Sequence, residues 1–369
     1  MRLRRTAVFE ALLCATILAA AAARASGAFP VPAIEYAPSR YAAVRVPHPP
    51  VIDGALDDSA WARAGWTGPF QDIEGGLKPV PRFATRAKMA WDDDCFYVAA
   101  ELEEPDLWAT FTERDAVIYH ENDFELFIDP DGDTHEYYEL EMNALNTVWD
   151  LLLVKPYRDG GPAVNAWDIA GLKTAVALQG TLNDPRDKDA GWTLEIAIPW
   201  KVLAECAHRF TPPHAGDSWW INFSRVEWRR EVVEGRYVKL RDPATGKELP
   251  EDNWVWSPQG LIAMHYPERW GLVTFVEAAA GAPEPSGQDL LARQALWRLY
   301  YAQKEFFEQH GRYAATLDEL PPREPPLAAG LRLEACGGGY EATFPAPGEP
   351  GGQAYRIRDD GCLSRVTLP

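Results

Sequence analysis

Between Val44 and Val276 apolar and polar side chains alternate in short runs, the period of strands with one buried face. Thr85, Ala87, Met89 and Trp91 share one face of such a run, and Phe96, Val98, Ala100 and Leu102 share a face of the next. The period returns in Phe124, Leu126 and Ile128, in Tyr138, Leu140, Met142 and Ala144, and in Trp192, Leu194, Ile196 and Ile198. Turn signals (DD, PDGD, RDGG, NDP) separate the runs, so the pattern predicts a mainly β domain, an antiparallel β-sandwich of immunoglobulin or jelly-roll type. Two short helices interrupt it: Asp57 to Ala64, opened by an acidic cap, and Trp200 to Ala207, which follows Pro199.

The period changes after residues 277–288 (EAAAGAPEPSGQ), a linker by composition. Leu290, Leu291, Ala295, Leu296, Leu299, Tyr300, Phe306 and Phe307 recur at mostly three- and four-residue spacing, predicting an amphipathic helix from Asp289 to His310. Short strands around Leu331 to Ala335, Tyr340 to Phe344 and Ala354 to Arg358 complete a small α+β domain over 289–369. At the other end, 1–25 has a basic start, an apolar stretch and the small-x-small site Ala23-Arg24-Ala25, the layout of a signal peptide cut after Ala25. Residues 26–43 read as an extended Ala- and Pro-rich leader, and 44–276 as the main domain. The mature chain is expected to be secreted, periplasmic or on the cell surface, with no membrane span left.

Charge narrows the partners. With 36 Lys and Arg against 55 Asp and Glu, the net charge of −19 repels nucleic acid and anionic membranes, leaving neutral ligands, cations and sugars. No GxSxG elbow, GxGxxG or Walker-type loop occurs, so neither nucleophilic catalysis nor a nucleotide cofactor is expected. Cys95, Cys206, Cys336 and Cys362 remain after signal cleavage; Cys336 and Cys362, close together in one small segment, are the candidate disulfide. In DPDGDTHE, Asp129, Asp131, Asp133 and Glu136 offer oxygen ligands around Gly132. That is the side-chain logic of a Ca2+ loop and equally that of an ordinary β-turn.

Five ordered runs carry a resemblance: VIDGALDDSAW (Val51 to Trp61), WDDDCFYVAAELEE (Trp91 to Glu104), NDFELFIDPDGDTHEYYEL (Asn122 to Leu140), GWTLEIAIPWKVL (Gly191 to Leu203) and GDSWWINFSRVEW (Gly216 to Trp228). Together they resemble the family 9 carbohydrate-binding module and its DOMON-like relatives. The resemblance implies a sugar-binding β-sandwich, often supported by calcium and associated with polysaccharide-degrading enzymes. Position by position, Tyr119 falls where sugar-binding members carry a Trp, and Glu125 matches the family's acidic contact. Glu139 falls where a basic contact is expected, and Met264 and His265 fall near a second sandwiching Trp. Trp149 and Trp167, with Trp108 and Trp256, are other candidate platforms, although 15 Trp in one chain implies that most are core. The candidate sugar site is therefore Tyr119, Glu125, Glu139, Trp149, Trp167 and His265. The first run reads as structural, with Asp53-Gly54 as a tight turn and Trp61 as an anchor. The stretch from Ala295 to Leu320 resembles the globular part of type IV pilin-like proteins and suggests a protein partner for the tail.

These readings favour an exported, non-catalytic carbohydrate-binding protein supporting capture or degradation of an oligo- or polysaccharide, with no catalytic residue assigned. Three rival readings stand beside it. A glycoside hydrolase acting on O-glycosyl bonds would draw two carboxylates from Glu125, Glu139, Glu141 and Glu195. A haem-binding relative, the less favoured cofactor reading, would use Met142, Met264 and His265. A structural surface module would have lost its sugar site.

Overall fold

The computed structural model describes residues 29–278, 287–346 and 352–367. The signal segment expected at 1–25 lies outside them, as does most of the linker at 277–288. The chain forms two compact units, a large one spanning Pro32–Gly287 and Asp360–Leu363 and a small one centred on Gln288–Asp359.

The first strands of the large unit are β1 (Arg40–Arg45), β2 (Gln71–Asp72), β3 (Thr85–Trp91), β4 (Cys95–Glu103) and β5 (Asp123–Asp129). They are followed by β6 (Tyr137–Asn143), β7 (Val148–Leu153), β8 (Ala163–Val164), β9 (Lys173–Gln179) and β10 (Gly191–Pro199). The last are β11 (Ser218–Glu227), β12 (Arg230–Val233), β13 (Arg236–Lys239), β14 (Asp252–Val255) and β15 (Gly271–Val276). Thirteen of them join one sheet along the path β8-β7-β6-β5-β11-β15-β1-β3-β4-β10-β9, with β14 and β2 branching from β11. The β12–β13 hairpin stands apart.

Two features correct the antiparallel sandwich. β1 lies parallel to both β15 (Tyr41 opposite Val273) and β3 (Val44 opposite Ala90), so the sheet is mixed. β1 also begins inside the expected leader, with Tyr41 and Ala43 buried in the core. Alternation within a strand does not encode which strands it joins, and β1 links the two ends of the domain's sequence. The second feature is a curl, through which one sheet supplies both walls of the core. Tyr138 on β6 donates its hydroxyl to Leu203 O (2.9 Å), just beyond β10, and Asn146 Nδ2 donates to Thr174 O on β9 (3.2 Å).

Inside the curl, Phe70 and Phe223 lie nearly parallel at 6.2 Å, and Trp200, Trp219 and Phe275 meet edge to face at 5.5–5.7 Å. The helices are shorter than their patterns: α1 spans Ser59–Arg63 and α2 spans Trp200–Leu203. Asp58 occupies the cap position of α1, but its carboxylate takes Val51 N (2.8 Å). Trp61 is an anchor, as its motif predicts. Its Nε1 donates to Glu195 Oε1 (2.6 Å), and Glu195 Oε2 also accepts Asp53 N and Gly54 N. Gly54 (φ +88°) must be glycine, because a Cβ there would lie 2.6 Å from Ala177 N.

The small unit holds α3 (Gly287–His310) and a sheet in the order β16 (Arg332–Cys336), β17 (Gly339–Pro345), β18 (Gln353–Arg358) and β19 (Leu363–Thr367). Its four strands exceed the two or three expected. The disulfide is not formed: Cys336 and Cys362 are both free thiols. Cys336 ends β16 and Cys362 precedes β19, the opposite edges of the sheet, about 14 Å apart at ~4.8 Å per strand step, whereas a disulfide needs Cα atoms within about 7 Å. Among the described residues, no helix is long and apolar enough to cross a membrane.

Candidate functional site

Strands β5 and β6 are buried at every residue. Their even positions, Phe124, Leu126, Ile128, Tyr138, Leu140 and Met142, enter the main core. The odd positions face the other way, where a smaller cluster of Phe127, Tyr137, Leu151, Leu153 and Trp270 forms an apolar floor edged by Trp149 and Met264. Asp123, Glu125, Glu139 and Glu141 share this second face by the strand period.

Register sets these acids against one another. Glu125 pairs directly with Glu141 across β5 and β6 and with Ser224 across β5 and β11, and Glu141 pairs with Trp149 on β7. Directly opposed residues in an antiparallel pair have Cβ atoms about 4.5–5.5 Å apart on the same face. Asp123, Glu125 and Glu141 each place one carboxylate oxygen within 4.8 Å of the others. Burial pushes the Glu125 carboxyl up to about 7. Burial, and then the charge of neighbouring carboxylates, holds Asp123, Glu139 and Glu141 well above the ordinary carboxylate range.

Hydrogen bonds reach these carboxylates only in part. Glu141 Oε2 accepts Tyr119 N (2.9 Å), and Asp123 Oδ1 accepts Val226 N (3.0 Å). Asp123 Oδ2 and Glu139 Oε2 are buried without a hydrogen-bond partner. Tyr119 sits on a single turn, Ile118–His120, held by Trp228 Nε1 donating to Tyr119 O (2.9 Å). Tyr119 is 37% exposed, and its ring stacks on Trp149 with centroids 6.5 Å apart and planes 26° apart. Tyr119, Trp149, Glu125, Glu139 and Glu141 are thus gathered on one sheet face.

His265 borders the apolar floor. Its Nδ1 meets the Tyr137 hydroxyl at 2.8 Å and its ring packs edge-on to Tyr157 and Phe127, while burial and the nearby Arg158 push its pKa down to about 3. Trp167 does not join this face. It stacks on Tyr138 (5.0 Å, 29°), a core-facing residue, and its Nε1 donates to Glu205 (3.0 Å), so it covers the main core. Met142 is likewise in the main core, on the opposite side of the sheet from Met264 and His265. Glu195 is structural, since both its oxygens are taken by the Asp53-Gly54 turn and Trp61. Sequence reasoning missed Asp123 and Ser224. The strand period that singles out Glu125 also marks Asp123, but Ser224 is brought in by pairing alone.

The DPDGD loop forms a second acidic group. Asp129, Asp131 and Asp133 have oxygens within 4.8 Å of one another. Asp129 accepts Gly132 N (2.8 Å) and Thr134 N (2.9 Å), and Asp133 accepts His135 N (2.7 Å). Burial, then repulsion from Asp133, pushes Asp131 up to about 6. Gly132 has φ +71°, and a Cβ there would lie 2.4 Å from the Trp220 ring. Glu136 leaves the expected ligand set. Its φ of +49° breaks the alternation, and its carboxylate meets His208 Nε2 at 2.7 Å. Three convergent carboxylates on oxygen-only side chains suit a hard cation such as calcium.

The large unit is a mainly β domain with an aromatic pair beside buried carboxylates on one sheet face. Its family follows from comparison: residues 52–211 match the model described as "Carbohydrate family 9 binding domain-like", and this part of the chain is a family 9 carbohydrate-binding module domain. The exoglucanase XynX of Acetivibrio thermocellus is 26% identical over 154 residues, which are 42% of this chain and 12% of that protein. The chain therefore spans about an eighth of that relative's length. A family 9 module from Caldicellulosiruptor kristjanssonii solved with cellotriose is 18% identical, with a TM-score of 0.42 over 67% of this chain and 98% of its own. The form solved with glucose is 18% identical, with a TM-score of 0.43 over 66% and 100%.

Proposed function

We propose that the large unit is an exported, non-catalytic module that holds an oligo- or polysaccharide against the Tyr119–Trp149 face, in support of polysaccharide capture or degradation. The observation that carries this reading is the stacked, partly exposed aromatic pair beside Glu125 and Glu141. Aromatic faces pack on the C–H groups of a pyranose, and fixed carboxyls pair its hydroxyls, each of which must find a partner once buried. The net charge of −19 favours a neutral glycan over an anionic one.

The face departs from the family pattern where Glu139 and Met264 stand in place of a basic contact and a Trp. The reading therefore rests on Tyr119 and Trp149 as a one-sided platform rather than a two-sided clamp. Calcium belongs to the same proposal: Asp129, Asp131 and Asp133 would hold it, and it would neutralise their mutual repulsion and stiffen the loop. A glycan array that includes glucose and cello-oligosaccharides tests the reading. Selective binding by the wild-type chain, lost in Tyr119→Ala, supports it; no binding by the folded chain overturns it.

A further inference from the structure

One other buried pair of carboxylates in the large unit is neutralised by guanidinium groups. Glu104 and Glu227 are met by Arg225 (3.1 and 2.9 Å) and Arg230 (2.8 and 3.3 Å), and Asn122 Nδ2 donates to both acids. The acidic group between β5 and β6 has no such match. The largest charged influences on Asp123, Glu125, Glu139 and Glu141 are other carboxylates. All four are at most 5% exposed, and stripping several kcal/mol of hydration from each buried charge without a counter-ion is strongly unfavourable.

Full protonation would relieve the charge and give each carboxyl one O–H donor, yet two buried oxygens, Asp123 Oδ2 and Glu139 Oε2, find no partner in the present geometry. Ser224, wholly buried and directly opposite Glu125, interacts through its hydroxyl with that carboxylate. Carboxylate oxygens of Asp123, Glu125 and Glu141 thus converge on one spot, with the Ser224 hydroxyl against Glu125. Calcium binds oxygens at about 2.4 Å, so two of its ligands lie at most about 4.8 Å apart. The Asp123, Glu125 and Glu141 oxygens all fall within that limit.

We propose that Asp123, Glu125 and Glu141 chelate a hard divalent cation of calcium type beneath the Tyr119–Trp149 pair, with Glu139 and Ser224 as supporting oxygens. The site is separate from the DPDGD loop. Its donors are all oxygen, which disfavours zinc and copper, and the cation takes over the charge-neutralising role that arginine plays around Glu104 and Glu227. The tie to sugar rests on the function proposed above: the cation would order the carboxylates that face the glycan. The cation site itself does not depend on that function.

The test is calcium titration calorimetry on the chelator-stripped full chain, comparing wild type, Glu125→Gln, Glu141→Gln and Asp131→Asn. The expected result is a calcium isotherm that each glutamine variant weakens at least tenfold and that Asp131→Asn leaves in place. Wild-type calcium binding in both glutamine variants, or no calcium binding beyond what Asp131→Asn removes, overturns the proposal. Thermal unfolding in chelator checks that the near-isosteric glutamine variants fold. A glycan array run with and without chelator separates the two readings. Calcium binding without any glycan leaves the cation site standing and the sugar reading refuted. Glycan binding by a chain that binds no calcium at Glu125 and Glu141 does the reverse.

Discussion

Glu125 and Glu141 face each other directly across β5 and β6, both buried, with no basic side chain between them and Tyr119 bound through its backbone N–H to Glu141. Opposed like charges in a cross-strand pair are destabilising. Glu141→Gln keeps an oxygen for Tyr119 N and removes the repulsion. In chelator it is expected to raise stability by about 1 kcal/mol, or roughly 2–4 °C in Tm for a domain of this size. Differential scanning calorimetry reads this, and a fall in Tm of similar size would contradict it.

Glu195 ties the Asp53-Gly54 turn and Trp61 to β10. Glu195→Ala strands three donors, two backbone N–H groups and an indole N–H, each costing on the order of 1–3 kcal/mol when left unpaired. Urea unfolding is expected to show a loss of at least about 2 kcal/mol. A loss below about 0.5 kcal/mol would show that water replaces the carboxylate.

How much of this was legible beforehand follows from what each signal encodes. A period of two separates Phe124, Leu126 and Ile128 from Asp123 and Glu125 using only local information, so the strands and their buried faces could be read directly. Tyr119 and Glu125 were reached through the family resemblance. Cross-strand register is non-local, so the Glu125–Glu141 opposition, the parallel placement of β1 and the position of Ser224 were hidden. Trp167 misled for a related reason: composition marks a Trp in a loop but not the face it covers. Glu136 misled because one residue at positive φ reverses the direction that alternate spacing assigns it. Cys336 and Cys362 are near in sequence yet fall at opposite edges of a sheet.

His265 carries a pH dependence. Its folded pKa lies near 3, well below the ordinary imidazole value of about 6.5, because it is packed beside Tyr137, Tyr157 and Arg158. Below pH ~6.5 the unfolded chain takes up a proton that the folded chain refuses, so this contribution is intact above that pH and is lost as pH falls toward 3. Between pH ~6.5 and ~5 the wild type is expected to lose about 1–2 kcal/mol that His265→Asn does not lose. Urea unfolding of both proteins across this range checks the difference. Parallel pH profiles would show that His265 titrates normally.

The most direct test of the sugar face is titration calorimetry of the full chain with a glycan found on the array, comparing Trp149→Ala with Trp167→Ala. The two tryptophans lie on opposite sides of the same sheet, one stacked on Tyr119 and the other on core-facing Tyr138. Losing a stacking face costs on the order of 1–2 kcal/mol, so Trp149→Ala is expected to weaken binding about tenfold while Trp167→Ala leaves affinity within twofold. Equal losses in both variants, or a loss confined to Trp167→Ala, would place the glycan elsewhere and contradict the assignment of this face.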